Sequence, residues 1–237
     1  TAALWNKISR QLSRRDDRSK NRRGVPMRED RRQMGDSQME RKLNDIFQHT
    51  KDELETLNMK ELTQTIYSIA KIVVASRRQE GKRWEADHTR ILRELLLGKV
   101  MRPNEELFRF FAVESMEKLH QFDARHISNL AYAYALIEYV PEFDDGSDLF
   151  DQIAAQSVEM KAEFNAQDIS NIAWAYATVN KPHLALFEAM GDQIVALKHL
   201  NEFRPQALSN TVWAYATAGI NHPKLFEKMA NHIVASD

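Results

Sequence analysis

The stretch Phe164-Asn-Ala-Gln-Asp-Ile-Ser-Asn171-Ile-Ala-Trp-Ala-Tyr-Ala177 decides the fold, because the chain writes it three times. The other copies are Phe122-Asp-Ala-Arg-His-Ile-Ser-Asn129-Leu-Ala-Tyr-Ala-Tyr-Ala135 and Phe203-Arg-Pro-Gln-Ala-Leu-Ser-Asn210-Thr-Val-Trp-Ala-Tyr-Ala216. Their asparagines are 42 and 39 residues apart (171 − 129 and 210 − 171). A period near 40 with two helix-like segments per copy marks an α-solenoid. The expected fold is all-α: an α-solenoid of about four stacked helix-pair repeats with a basic N-terminal arm. No strand longer than a bridge is expected, because no segment alternates apolar and polar residues. Solenoids mostly bind long partners, so the repeat points away from an enzyme.

Each copy has a definable start and a second helix. Asp123, Asn165 and Arg204 stand at the cap position of the first helix. Pro205 follows at the first helical position, where its missing N–H costs nothing. Asn165 with Asp168 three residues on has the form of a capping box, and Gly219 offers a stop in the last copy. The second helices begin Leu149-Phe150-Asp, Leu186-Phe187-Glu and Leu225-Phe226-Glu. Weaker copies lie upstream: Leu62 to Ala70 matches a first helix, and Glu106 to Phe111 a second. An extra helix is expected between them, at about Trp84 to Val100. Three regions follow: a basic extended arm over 1–42, divergent helical repeats over 43–121, and three clear helix pairs over 122–237. Residues 1–10 have the pattern of a short amphipathic helix. The chain begins at Thr1 and its array stops at Asp237, where a polar cap is expected. It reads as a processed or cut chain whose targeting peptide is already gone.

At 100° per residue, Ile169, Ile172, Ala173 and Tyr176 share one helix face, and Gln167, Asn171, Trp174 and Thr178 the opposite one. Two roles compete for the repeated residues. Asn129, Asn171 and Asn210 are either base-contacting groups or structural amides bonded to backbone at the turn between repeats. The structural role is preferred, because a residue that reads sequence should differ between repeats. Tyr132, Trp174 and Trp213 are either a stacking ladder, each base contributing roughly 1–3 kcal/mol, or inter-repeat core. Core is preferred, and Trp174→Ala or Trp213→Ala should then cost roughly 3–5 kcal/mol. The variable positions, Arg125/Gln167/Gln206 and His126/Asp168/Ala207, are the better specificity candidates.

Composition removes several chemistries. With no cysteine there are no disulfides, thiolate zinc sites or cysteine nucleophiles. The eight histidines show no metal-ligand spacing. Glu142-Phe-Asp-Asp-Gly-Ser-Asp148 lacks the alternating ligands of a calcium loop and reads as a turn with a helix cap from Ser147 or Asp148. No nucleophile–base pair, phosphate loop, cofactor site or membrane span is expected. The net charge of −1 hides an asymmetry. Residues 1–42 hold 13 basic and 6 acidic side chains, a net of +7; residues 122–237 hold 7 and 15, a net of −8. The arm concentrates Arg14, Arg15, Arg18, Lys20, Arg22, Arg23, Arg28, Arg31 and Arg32, and a second basic stretch runs from Arg77 to Arg102.

The unit Phe-x-x-Gln-x-Ile/Leu-Ser-Asn-x-x-Trp-Ala-Tyr-Ala, followed by Pro-x-Leu-Phe-Glu, resembles the octotricopeptide repeat family. It is also similar to the helical region of FAST-kinase-like and RAP-domain proteins. The resemblance covers 122–237 well and 57–121 faintly, and leaves out 1–42; Tyr132 stands where the pattern has Trp. It implies a factor of the mitochondrion or chloroplast that binds organellar RNA and acts in processing, stability or translation, or a ribosome constituent. No RAP domain follows the repeats in this sequence, so catalysis is not expected. The candidate RNA contacts are Arg14, Arg15, Arg18, Arg22, Arg23, Arg31 and Arg32 of the arm with Arg125, Gln167 and Gln206 of the repeats. The alternative is a protein scaffold within a large organellar assembly, which the acidic body suits better.

Overall fold

The computed structural model describes residues 2–7, 41, 45–46, 48–78 and 105–235. Among these residues the fold is all-helical, and the β pairing is one isolated antiparallel bridge, Glu142 to Asp148. The arm arginines, the extra helix expected near 84–100 and most of the 77–102 basic stretch lie outside the described residues. The chain divides into two compact units, Thr1–Glu114 and Ser115–Asp237.

In the first unit, residues 2–7 form a short helix that buries Trp5, whose indole N–H donates to Thr50 Oγ1 at 2.9 Å. Thr50 in turn donates to the Ile46 carbonyl at 2.6 Å. Buried indoles keep a polar partner for this reason: an unpaired N–H away from water is costly. Helix α1, Met59–Arg78, starts at a reciprocal cap. The Glu61 N–H donates to Asn58 Oδ1 at 3.0 Å, and the Asn58 N–H donates to Glu61 Oε2 at 3.2 Å. It buries Leu62, Ile66, Ile69, Ala70 and Val73, the three- and four-residue spacing of a single apolar face. Helix α2, Glu105–Lys118, belongs to this unit as far as Glu114 and buries Leu107, Phe108, Phe111 and Ala112. Lys51 anchors its start, pairing with Glu106 Oε1 at 2.6 Å and lying 5.0 Å from the Phe110 ring centroid.

The second unit holds α3 (Ala124–Leu136), α4 (Leu149–Glu159), α5 (Ala166–Thr178), α6 (Leu184–Ala196), α7 (Pro205–Ala218) and α8 (Pro223–Val234). The first helices of the copies pack side by side, α3 on α5 and α5 on α7. The second helices do the same, α4 on α6 and α6 on α8. Small side chains at these contacts, among them Ala131, Ala133, Ala173 and Ala175, are fully or almost fully buried and let the backbones approach.

The capping chemistry follows the repeat. Asp123 accepts from the His126 N–H at 2.8 Å. Asn165 accepts from Gln167 and Asp168, and Asp168 returns the bond as a complete capping box. Arg204 makes no side-chain cap, and Pro205 takes its first helical position. Gly219 ends α7 at φ 67°, a left-handed conformation that glycine adopts without steric cost. In the acidic loop it is Asp148 that caps α4, accepting from the Phe150 and Asp151 N–H groups.

In the second and third copies the second aromatic of the Trp-Ala-Tyr triplet joins one copy to the one before. Tyr176 Oη of α5 donates to the Phe150 carbonyl of α4, with the rings edge to face at 5.1 Å. Tyr215 Oη of α7 donates to the Phe187 carbonyl of α6 at 2.5 Å, with the rings edge to face at 4.9 Å. Tyr134, Tyr176 and Tyr215 are 0%, 1% and 0% exposed. Burial pushes all three phenols well above their ordinary range, and Tyr176 and Tyr215 act as neutral donors.

Candidate nucleic-acid interface

Positions 0, 4, 7 and 11 of a helix lie within about 40° of one line, since each residue turns about 100°. In α3 those positions are Arg125, Asn129, Tyr132 and Leu136; in α5 Gln167, Asn171, Trp174 and Thr178; in α7 Gln206, Asn210, Trp213 and Thr217. All twelve are half-buried or exposed, while residues on the opposite faces are buried. Because α3, α5 and α7 are successive neighbours, three parallel stripes of long polar group, asparagine and aromatic ring stand next to one another. The Tyr132 and Trp174 rings meet across α3 and α5, centroids 4.9 Å apart and tilted by 40°. The Gln167 amide donates to Asn171 Oδ1 at 2.7 Å along its stripe.

Two expectations differ in part from the structure. Tyr132 and Trp174 are half-buried and pack on each other between α3 and α5, while Trp213 is 45% exposed, so the rings are not fully enclosed core. The physical reason is the two-residue spacing within Trp-Ala-Tyr. Two steps turn the helix by about 200°, so one ring faces the interior and the other faces out. The core positions went to Tyr134, Tyr176 and Tyr215. Trp213 is the most open because α5 covers one flank of α7 and, among the described residues, no further first helix covers the other. The asparagines are not at a turn either. Asn129, Asn171 and Asn210 lie in mid-helix on the partly exposed face.

The two sets of variable positions also separate. Arg125, Gln167 and Gln206 are exposed and head the three stripes. Asp168 and Ala207 are buried and His126 is half-buried, so this set belongs to the contact between helices. Ser128 Oγ of α3 donates to Asp168 Oδ1 of α5 at 3.0 Å. Desolvation raises the Asp168 carboxyl above its ordinary value, against the lowering effect of the Ser128 and Asn165 bonds. One copy further on, Ala207 replaces the carboxylate, and the buried Ser170 hydroxyl has no hydrogen-bond partner.

The surface can stack flat rings and offer amides and one guanidinium to hydrogen-bond acceptors. Among the described residues no group of His, Asp and Glu side chains could hold a metal ion, and no helix is long and apolar enough to cross a membrane. No protein-family model and no curated protein matches this chain. The buried tyrosines were missed as inter-repeat links, although the signal was present: a hydroxyl-bearing aromatic repeated two residues after an outward-facing one.

Proposed function

We propose that this chain is a non-catalytic helical-repeat protein associated with organellar RNA, in processing, stability, translation or as a ribosome constituent. The proposal includes an α-solenoid of about four helix pairs, kinship with the octotricopeptide repeat family, and residence in the mitochondrion or chloroplast. The observation that carries it is the set of three adjacent stripes, each with a partly exposed ring one turn from an asparagine. Single-stranded nucleic acid is bound by such rings because every base has a flat face, and exposed amides bond to its edges. In this reading Asn129, Asn171 and Asn210, with Tyr132, Trp174 and Trp213, serve as contacts beside Arg125, Gln167 and Gln206. The arm arginines supply the phosphate charge that the acidic repeats lack.

A second reading rests on the net charge of −8 over residues 122–237, which repels phosphate and suits a protein partner. In it the chain is a scaffold subunit of a large organellar assembly. Crosslinking the purified chain to organellar RNA, with and without residues 1–42, separates the two. Crosslinks within 122–237 that survive loss of the arm support the RNA reading; an absence of crosslinks from both proteins contradicts it.

A further inference from the structure

Arg125 is the one cation on the three stripes, whereas phosphate binding needs positive charge, and α1 carries it. Its segment Leu62-Thr-Gln-Thr-Ile-Tyr67-Ser-Ile-Ala70 aligns with Ile169 to Ala177, which sets Gln64 at the asparagine position and Tyr67 at the Trp174 position. The two flanking stripe positions are then Lys60 and Lys71. Exposure follows the same register as in α5. Lys60 and Lys71 are exposed, Gln64 and Tyr67 are half-buried, and Leu62, Thr63, Ile66, Ile69 and Ala70 are buried. Where the other stripes carry Arg125 and Leu136, Gln167 and Thr178, or Gln206 and Thr217, α1 alone carries a cation at both ends.

The detail of the site is suited to a nucleotide. Lys71 Nζ lies 5.2 Å from the Tyr67 ring centroid, so charge and ring are presented together. The nearby Glu61 carboxylate is engaged by the Asn58 N–H as a helix cap. Lys60 and Lys71 are eleven residues apart, about 16 Å along the helix axis, with the ring and the Gln64 amide between them. That places a stacking surface and an edge-reading amide between two phosphate-seeking ammonium groups.

We propose that Lys60, Gln64, Tyr67 and Lys71 of α1 form a single-stranded RNA site in their own right, with a base on Tyr67 and backbone phosphates at the two lysines. It rests on the RNA reading above and names the residues that supply charge within the helices. The stripes of α3, α5 and α7, with Arg125 as their single cation, contribute stacking and amides; α1 contributes two further positive charges.

The test is fluorescence anisotropy of a labelled single-stranded oligouridine with the full chain, across a series of salt concentrations. K60Q/K71Q alters exposed side chains and should leave the melting temperature unchanged. It should weaken binding at least about tenfold at low salt and reduce the slope of log K against log salt by about 0.7 for each lysine. Y67F should bind as wild type, because a phenyl ring still stacks, whereas Y67L should lose about tenfold or more. If K60Q/K71Q and Y67L bind as wild type while variants of the Trp174 and Trp213 stripe lose affinity, the α1 site is wrong and the RNA reading stands. If the wild-type chain binds no single-stranded RNA, the site and the reading fall together.

Discussion

Ser128 and Ser170 occupy the same repeat position and meet different neighbours. Ser128 donates to a buried carboxylate, whereas one copy on the repeat has Ala207 in place of that carboxylate and the Ser170 hydroxyl is unpartnered. Opposite mutational signs follow. Ser128→Ala leaves an Asp168 oxygen short of a donor and should destabilise by about 1–3 kcal/mol. Ser170→Ala removes a buried group that bonds to nothing and should be neutral or stabilising by up to about 1 kcal/mol. Thermal or urea unfolding of the two variants checks this, and equal losses would contradict it. Asp168 also sets a pH dependence. Its folded carboxyl titrates above its ordinary value, so the folded chain binds the proton more tightly than the unfolded chain. Its contribution to stability is therefore greatest at low pH and declines as pH rises through the window between the two values. Relative to Asp168→Asn, the wild type should lose stability as pH rises above about 4, and a difference of opposite slope would refute the assignment.

At the scale of helices, the Tyr176 and Tyr215 hydroxyls tie a first helix to the second helix of the copy before. Tyr215→Phe keeps the ring against Phe187 and loses one hydrogen bond, so it should cost about 0.5–1.5 kcal/mol. Tyr176→Ala also opens a cavity beside Phe150 and should cost about 3–5 kcal/mol. Chemical denaturation gives both values, and a Tyr176→Ala loss no larger than that of Tyr215→Phe would show that the ring is not a packing element. Much of this scale was legible in the sequence. Asn165 with Asp168, Pro205 and Gly219 signal helix ends through local backbone chemistry, and each holds the expected position. The direction of the rings was harder to read. Trp174 and Tyr176 are both large, aromatic and period-locked, and which of them is interior depends on which flank the neighbouring helix covers. The helical wheel separated their faces; it could not say which face was buried. Asn171 was misplaced for a related reason, since an invariant amide suits a turn as well as an exposed helix face.

Across the whole molecule, charge and shape pull against each other. The second unit exposes rings and amides, yet the repeats from 122 to 237 are acidic, while cations concentrate in 1–42, around 77–102 and at Lys60 and Lys71. A protein arranged in this way would hold RNA by distributing stacking and phosphate attraction over different segments, and its binding would be salt-sensitive and weakly sequence-dependent. The period of about 40 residues was enough to read the helical class; the part played by the outward aromatics needed their exposure. The most direct test is single-stranded RNA binding by the full chain against a Y132L/W174L/W213L variant, with melting temperature measured alongside. The account predicts salt-dependent binding by the wild type, a loss of at least about tenfold in the variant, and a modest fall in melting, because Trp213 is exposed and Tyr132 and Trp174 are only half-buried. Unchanged RNA affinity in the variant, or a collapse in melting temperature in its place, would contradict it.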